Sequence, residues 1–359
     1  MLVLVLTMQG KNEHPVRSAL VSQGDSCLVE HDTFHAIGYY QKYLETHPRD
    51  LSVVRKLASC HRLRGDNKKC ISCMESIPSD SINHEDMRML YYVYLNLGNN
   101  MKVDQWGLHI SMAYPYDSEI LSSLCTHWNN LGKPEKTEII AKPYIAHRDS
   151  TNLLINKEYA YSLFLQFKYD KAIPLYKGLI ADGFDNYESN FVLGLCYYNT
   201  QQYTQAKPYL DKAVTLKGDN ADMNSLFYLG MTCKKLAETT KTPVEKYELE
   251  KEASQFLERS ITVAYPRSRG LYVNQQLAEI YYGRKQFEKA GHAFAMCIEY
   301  DDEDSPLNYY NAAQMYIAAQ KKPQARLYLQ MFLAKADKIK DEKEKARLTS
   351  KAKEQIKTL

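Results

Sequence analysis

Tyr187 to Asn220 is a stretch of 34 residues whose order of small and apolar side chains returns along the chain at the same interval. A period of that length leaves few options. Each unit is one helix–turn–helix that cannot bury its own apolar face, so units must stack on their neighbours. Within this stretch Leu193 and Gly194 are followed by Tyr197, then by Tyr203, Ala206, Leu210 and Ala213. Spacings of three and four place these residues on one face of each helix. Antiparallel helices approach closely only where one presents a small side chain and the other fills the gap. Gly194 and Ala206 are the small positions; Leu193, Tyr197, Tyr203 and Leu210 are the filling. Gly218 then ends the second helix, since glycine tolerates the left-handed conformation a helix end needs.

The same register runs from Arg17 onward. Leu20, Gly24, Ala36, Tyr40 and Pro48 stand at the expected offsets in the first unit, and Val54, Leu57, Ala58, a Gly65 turn and Cys70 in the second. A third unit brings Leu90, Tyr91, Tyr94 and a Gly98 turn; a fourth brings Leu121, Leu124, Trp128 and a Gly132 turn. From Leu153 the pattern sharpens, with Tyr159, Ala160, Leu163, Tyr169, Ala172 and Tyr176. The unit opening at Met223 has Leu229 and Gly230, but its second-helix residues Ala253 and Leu257 arrive late. An insertion over 239–250, opened as a helix by Pro243, lengthens both helices or adds a protruding turn. Register returns with Leu277, Ala278, Tyr281 and Ala290, and a last unit carries Ala312, Ala313, Tyr316 and Ala325. The chain thus divides into 1–16, an apolar start and linker; 17–152, four degenerate repeats; 153–337, five sharper ones; and 338–359, a charged helix that caps the stack.

This spacing resembles the tetratricopeptide-repeat family over residues 17–337. None of the units has that family's tryptophan at the fourth position, where Asn156, Asn190 and Tyr309 stand instead. The resemblance implies an all-α fold, a right-handed superhelical α-solenoid of about nine hairpins. It also implies a concave groove, lined by first helices, that binds extended peptides or partner helices, and it does not imply catalysis.

Positions two, five, nine and twelve of each first helix share the face that would line such a groove. They read Lys157, Tyr161 and Phe164, then Phe191 and Tyr198, then Phe227 and Lys234, then Tyr272 and Tyr282, with Tyr310 at the end. An aromatic stripe on a face otherwise expected to be polar is the composition of interface anchors. Core packing between hairpins is the competing reading for each ring. In the earlier units the same face reads Arg55, Arg62, Arg88, Tyr92, Asn129 and Asn130, a basic entrance or an ordinary solvated face. Chaperone-clamping members of the family place lysine and asparagine together on adjacent first helices. Here Lys157 is followed one turn later by Tyr161, so that activity does not carry over.

The net charge is +3, and the tail from Lys335 to Leu359 holds nine basic against five acidic residues. The body is therefore near neutral, which speaks against a nucleic-acid partner. Cys70 and Cys73 form a CxxC, but Cys70 occupies a small packing position and no second pair follows at zinc-ribbon spacing. His31 and His35 stand four apart without an acid to complete a metal site. No catalytic, metal or cofactor signature appears, so neither an enzyme nor a cofactor is expected.

Two readings of function follow. One is a non-catalytic protein–protein interaction scaffold that holds a partner's peptide or helix in the aromatic groove. The other is a structural subunit docked through its convex face or C-terminal helix in a larger, envelope-type assembly. Eight cysteines scattered singly suit a reducing compartment. The apolar run Met1 to Met8 is too short to span a bilayer and reads either as the tail of an export signal or as a loosely packed terminus. That run tips the expectation toward an exported, periplasmic location, with membrane association only through such a processed signal.

Overall fold

A computed structural model describes residues 19–262 and 267–359, and nineteen α-helices account for most of them. The apolar run Met1 to Met8 lies outside the described residues. The chain forms two compact units, the first ending at Ile155 and the second running from Asn156 to Leu359.

The first unit is a stack of four hairpins: α1 (Ala19–Val29) with α2 (Thr33–Thr46), α3 (Leu51–Leu63) with α4 (Asn67–Glu75), α5 (His84–Asn96) with α6 (Asn100–Ala113), and α7 (Ser118–Asn130) with α8 (Pro134–His147). The second unit holds five: α9 (Leu153–Leu165) and α10 (Tyr169–Ala181), α11 (Tyr187–Asn199) and α12 (Tyr203–Lys217), α13 (Met223–Thr239) and α14 (Pro243–Thr262), α15 (Arg267–Gly283) and α16 (Phe287–Tyr300), α17 (Pro306–Ala318) and α18 (Lys322–Lys335). A final helix, α19 (Glu342–Thr358), follows. The residues of the insertion lengthen both α13 and α14. No strand occurs among the described residues.

Short polar side chains start these helices. Asp50, Asp66, Asn99, Asp117, Asn186 and Asp222 each accept a hydrogen bond from an amide of the first turn, which satisfies donors the helix itself leaves open. In several hairpins the two helices are set by a close contact at a glycine. A Cβ built on Gly194 would lie 2.6 Å from Leu210 Cγ, and one built on Gly230 would lie 2.9 Å from Leu257 Cγ. Leu257 thus does for α13 what Leu210 does for α11, despite the intervening insertion. Gly24 against Tyr40 repeats the arrangement in the first unit, whereas Gly107 of α6 against Leu124 of α7 makes the same kind of contact between successive hairpins. Around these contacts Trp128, Tyr91, Ile110 and Leu124 are buried in the first unit, and Tyr176, Leu163 and Leu193 in the second.

The turn joining the two helices is the same in eight hairpins. Its middle residue is left-handed, with φ between 58° and 75°, and the next amide reaches back five residues, as in Asp66 N–H to His61 O (2.9 Å) and Gln202 N–H to Tyr197 O (2.8 Å). The first unit uses Gly65, Gly98 and Gly132 there, after His31; the second uses Phe167, Gln201, Lys285 and Gln320. A side chain in this conformation costs roughly 1–2 kcal/mol, partly offset by glycine's greater chain entropy when unfolded. Gln201→Gly and Gln320→Gly are therefore expected to stabilise the protein by about 0.5–1 kcal/mol each, and Gly98→Ala to destabilise it by about 1 kcal/mol. Urea midpoints at unchanged slope measure this; a loss of stability in both glutamine variants contradicts it.

Candidate functional site

The residues that stand out on the second unit lie on its first helices. On α11, Phe191 stacks on Tyr187 (5.6 Å between ring centroids) and meets Tyr228 of α13 edge-on at 6.4 Å. Tyr228 also packs against Tyr198 (5.2 Å) and Phe227 (5.2 Å), and Phe227 reaches Tyr272 of α15 at 6.0 Å. A continuous ring network therefore crosses three first helices. A second cluster joins Tyr161 to Phe164 (6.0 Å) and Phe164 to Tyr169 (5.9 Å), while Tyr282 leans on Phe287 at 6.1 Å.

Exposure separates these rings. Tyr161, Phe164, Phe191, Tyr198 and Phe227 are half-buried, whereas Tyr272 and Tyr282 are 46% and 57% exposed. Tyr310 departs from the stripe: it is buried against Phe332 at 5.0 Å, in a cluster with Leu348 and Ala352 of α19. The capping helix lies over that end of the stack and turns what would be a face position into core. The hub, Tyr228, sits one residue beyond the position expected from the register; two adjacent rings, Phe227 and Tyr228, were its only mark in the sequence. Burial, then the nearby Tyr272, Tyr203 and Tyr228, raise the Tyr198 hydroxyl well above its ordinary value, and burial with Glu188 and Glu158 raises that of Tyr161. Both remain O–H donors at neutral pH.

The charged members of the stripe are tied down. Lys157 pairs with Glu188 at 3.0 Å, from α9 to α11. Lys234 pairs with Glu279 at 2.5 Å and donates to Gln276 at 2.6 Å, from α13 to α15. These pairs bridge successive first helices instead of pointing at an open channel.

The basic residues of the first unit are likewise used internally. Arg55 holds Asp86 with Nε and Nη2, both at 2.9 Å, and donates to the Ser81 carbonyl at 2.7 Å. Asp86 is buried and at the same time completes the capping box with Asn83 at the start of α5. Arg88 binds Asp117 at 2.6 Å and Glu119 at 2.6 Å, and Tyr92 donates to Glu119 at 2.6 Å. Arg62 and Asn130 are exposed, while Asn129 is buried. Arg55 and Arg88, two of the three arginines that read as a basic entrance, are thus repeat-to-repeat ties, with carboxylate partners 29 to 31 residues onward.

This difference in burial sets the expected response to mutation. Arg55→Ala leaves the Asp86 carboxylate buried and unpaired, which costs about 3–5 kcal/mol, whereas Lys157→Ala breaks a half-exposed pair worth about 1 kcal/mol or less. Chemical denaturation of the two variants distinguishes them; equal losses contradict the assignment. Asp117 adds a pH signature. Burial pushes its carboxyl up, but hydrogen bonds from Arg88, the Ile120 amide and His84 outweigh this and hold it below the ordinary range. A folded-state value below the unfolded one gives stability present above the unfolded value, about 4, and lost as pH falls. The deficit of Asp117→Asn in urea melts should accordingly be larger at about pH 7 than at about pH 3.

The cysteines are free thiols. Burial raises Cys70 to about 11, and it raises Cys73 too, so the thiolate that redox or metal chemistry needs is disfavoured. His35 Nδ1 lies 2.6 Å from Asp32, the N-cap of α2, while His31 occupies a left-handed turn. Among the described residues, no group of three or more His, Cys, Asp or Glu side chains is placed to hold a metal ion, and no helix is long and apolar enough to cross a membrane.

Comparison with known proteins adds to this geometry. A family model described as anaphase-promoting complex, cyclosome, subunit 3 matches residues 159–241. No curated protein matches the chain. Among solved structures, a tetratricopeptide repeat protein from Parabacteroides merdae ATCC 43184 is 13% identical over 73% of this chain and 97% of its own, with a TM-score of 0.47. YrrB, a repeat protein of the same type described as having an unusual peptide-binding site, is 17% identical over 56% of this chain and 95% of its own, at 0.45. The Cut9–Hcn1 hetero-tetramer of the anaphase-promoting complex supplies a chain 13% identical over 93% of this one and 55% of its own, at 0.39. The 34-residue hairpins and their shared turn make the fold an α-solenoid of the tetratricopeptide-repeat type, and the family match falls within it.

Proposed function

We propose that the protein is a non-catalytic protein-interaction scaffold whose second unit holds an extended peptide or a helix of a partner protein along the rings of its first helices. One observation carries this reading. Tyr272 and Tyr282 leave large ring surface in water, and Tyr272 belongs to a ring network that runs back through Phe227 and Tyr228 to Phe191. Rings needed only for packing would be covered; rings that are partly covered and continuous supply both a rigid base and an open contact surface. A family match to a subunit of a multiprotein complex and a structural neighbour described as peptide-binding are in keeping with it.

Substitution of the half-buried rings confounds binding with folding, because Phe191→Ala removes a ring stacked between Tyr187 and Tyr228 and costs about 2–4 kcal/mol. The exposed pair gives the cleaner test. A random decapeptide library is panned against the full chain, and enriched peptides are measured on wild type and on the Tyr272→Ala, Tyr282→Ala double variant. The variant should bind about tenfold or more weakly while its urea midpoint stays within about 1 kcal/mol of wild type. Enriched peptides that bind both forms equally remove the rings from the binding surface and overturn the proposal.

A further inference from the structure

Resting on that groove reading, the charges on the same helices narrow the partner's chemistry. The first helices of the second unit are poor in charge: α11 carries only Glu188, and α17 carries none. The described charges on the ring-bearing face are engaged within the protein. Lys157 holds Glu188 and Lys234 holds Glu279, as above; Lys235 holds Glu238 at 2.8 Å, and Arg269 donates to Asn224. A charged peptide laid on this face would have to compete with these contacts, of which Lys157–Glu188 and Lys234–Glu279 link one first helix to the next. A neutral one would not.

The hydrogen-bonding capacity points the same way. An α-helix satisfies its backbone groups internally, so a face made of helices has no strand edge to accept the N–H groups of an extended partner. The carboxylates, its strong acceptors, are already paired. What the face has in hand are hydroxyls: those of Tyr198, Tyr228, Tyr272 and Tyr282 make no hydrogen bond among the described residues, and each can donate one. An extended segment rich in N–H groups would find only those few hydroxyl oxygens to accept from it and would bury its remaining donors unpaired, at a cost for each. Proline has no N–H, keeps a carbonyl that accepts from a tyrosine, and presents a flat apolar ring to an aromatic face. A polyproline II segment also arrives already ordered, without internal hydrogen bonds to break.

We propose that the ring stripe of the second unit binds an uncharged, proline-rich segment of a partner protein in the polyproline II conformation, through ring stacking and tyrosine-to-carbonyl hydrogen bonds. With its ion pairs closed, that face disfavours acidic and basic peptides as the preferred ligand.

The probe is fluorescein-labelled decaproline, titrated with the full chain by anisotropy beside labelled decamers of Gly-Ser, Asp-rich and Lys-rich composition. Wild type is compared with the Tyr272→Ala, Tyr282→Ala variant, whose fold is checked by circular dichroism, and with Tyr198→Phe, which keeps the ring and removes one donor. The expected result is decaproline binding about tenfold tighter than any control. It should weaken about tenfold in the double variant and a few-fold in Tyr198→Phe. Raising salt from about 50 to about 500 mM should change it by less than about twofold, since no exposed charge pair forms. Tighter, ring-dependent binding of a charged decamer overturns the neutral-partner assignment and leaves the groove reading standing. The same holds if library peptides without proline bind the rings and decaproline does not. Failure of every peptide to sense the ring substitutions overturns both.

Discussion

The close approach of the two helices in each hairpin is the contact on which the rest of the structure depends. At Gly194 and at Gly230 the first helix has no side chain, and a leucine of the second helix occupies that space. Any larger residue would push Leu210 or Leu257 outward and open the hairpin. Because this contact fixes the angle within a repeat, it also fixes which residues of the first helix face the next repeat and which face outward. The insertion shows how strong the requirement is. Eleven extra residues lengthen α13 and α14, yet Leu257 still reaches Gly230.

Between hairpins the ties change in character along the chain. In the first unit, arginines from one first helix hold the buried or capping carboxylates that start the next, as Arg55 does with Asp86 and Arg88 with Asp117. One carboxylate then caps a helix and anchors its neighbour together, so the start of each repeat is coupled to the previous one. In the second unit lysine–glutamate pairs take that part on a more exposed face, and aromatic rings supply the remaining contact. The stripe is thus both a packing device and an open surface, because a ring can bury one face against its neighbour and leave the other to solvent.

A similar division appears at the chain's end. Tyr310 has the sequence position of a stripe residue, but α19 covers it and Phe332 lies against it. The capping helix closes the stack with Leu348 and Ala352 and leaves a basic outer face, which includes Lys343, Lys351 and Lys357, in water. Burying the last hairpin's apolar surface therefore shortens the ring-bearing face by one repeat.

Spacing alone was enough to determine the helices, the hairpins, their number and the close glycine contacts, since side chains three and four apart must share a helix face and a 34-residue unit cannot bury that face by itself. Gly65, Gly98 and Gly132 announced three turns in the same way. Phe167, Gln201, Lys285 and Gln320 take the identical left-handed conformation without any residue-type signal, held there by the helices they join. Only the tertiary structure decided which rings stay exposed, that Tyr228 is the hub of the network, and that Arg55, Arg88, Lys157 and Lys234 are structural ties. These outcomes rest on partners some 30 residues or more away in the chain, such as Asp86 for Arg55 and Glu279 for Lys234. Helix periodicity gives a residue's direction, whereas its exposure and its charge partner are set by whatever the neighbouring helix places opposite it.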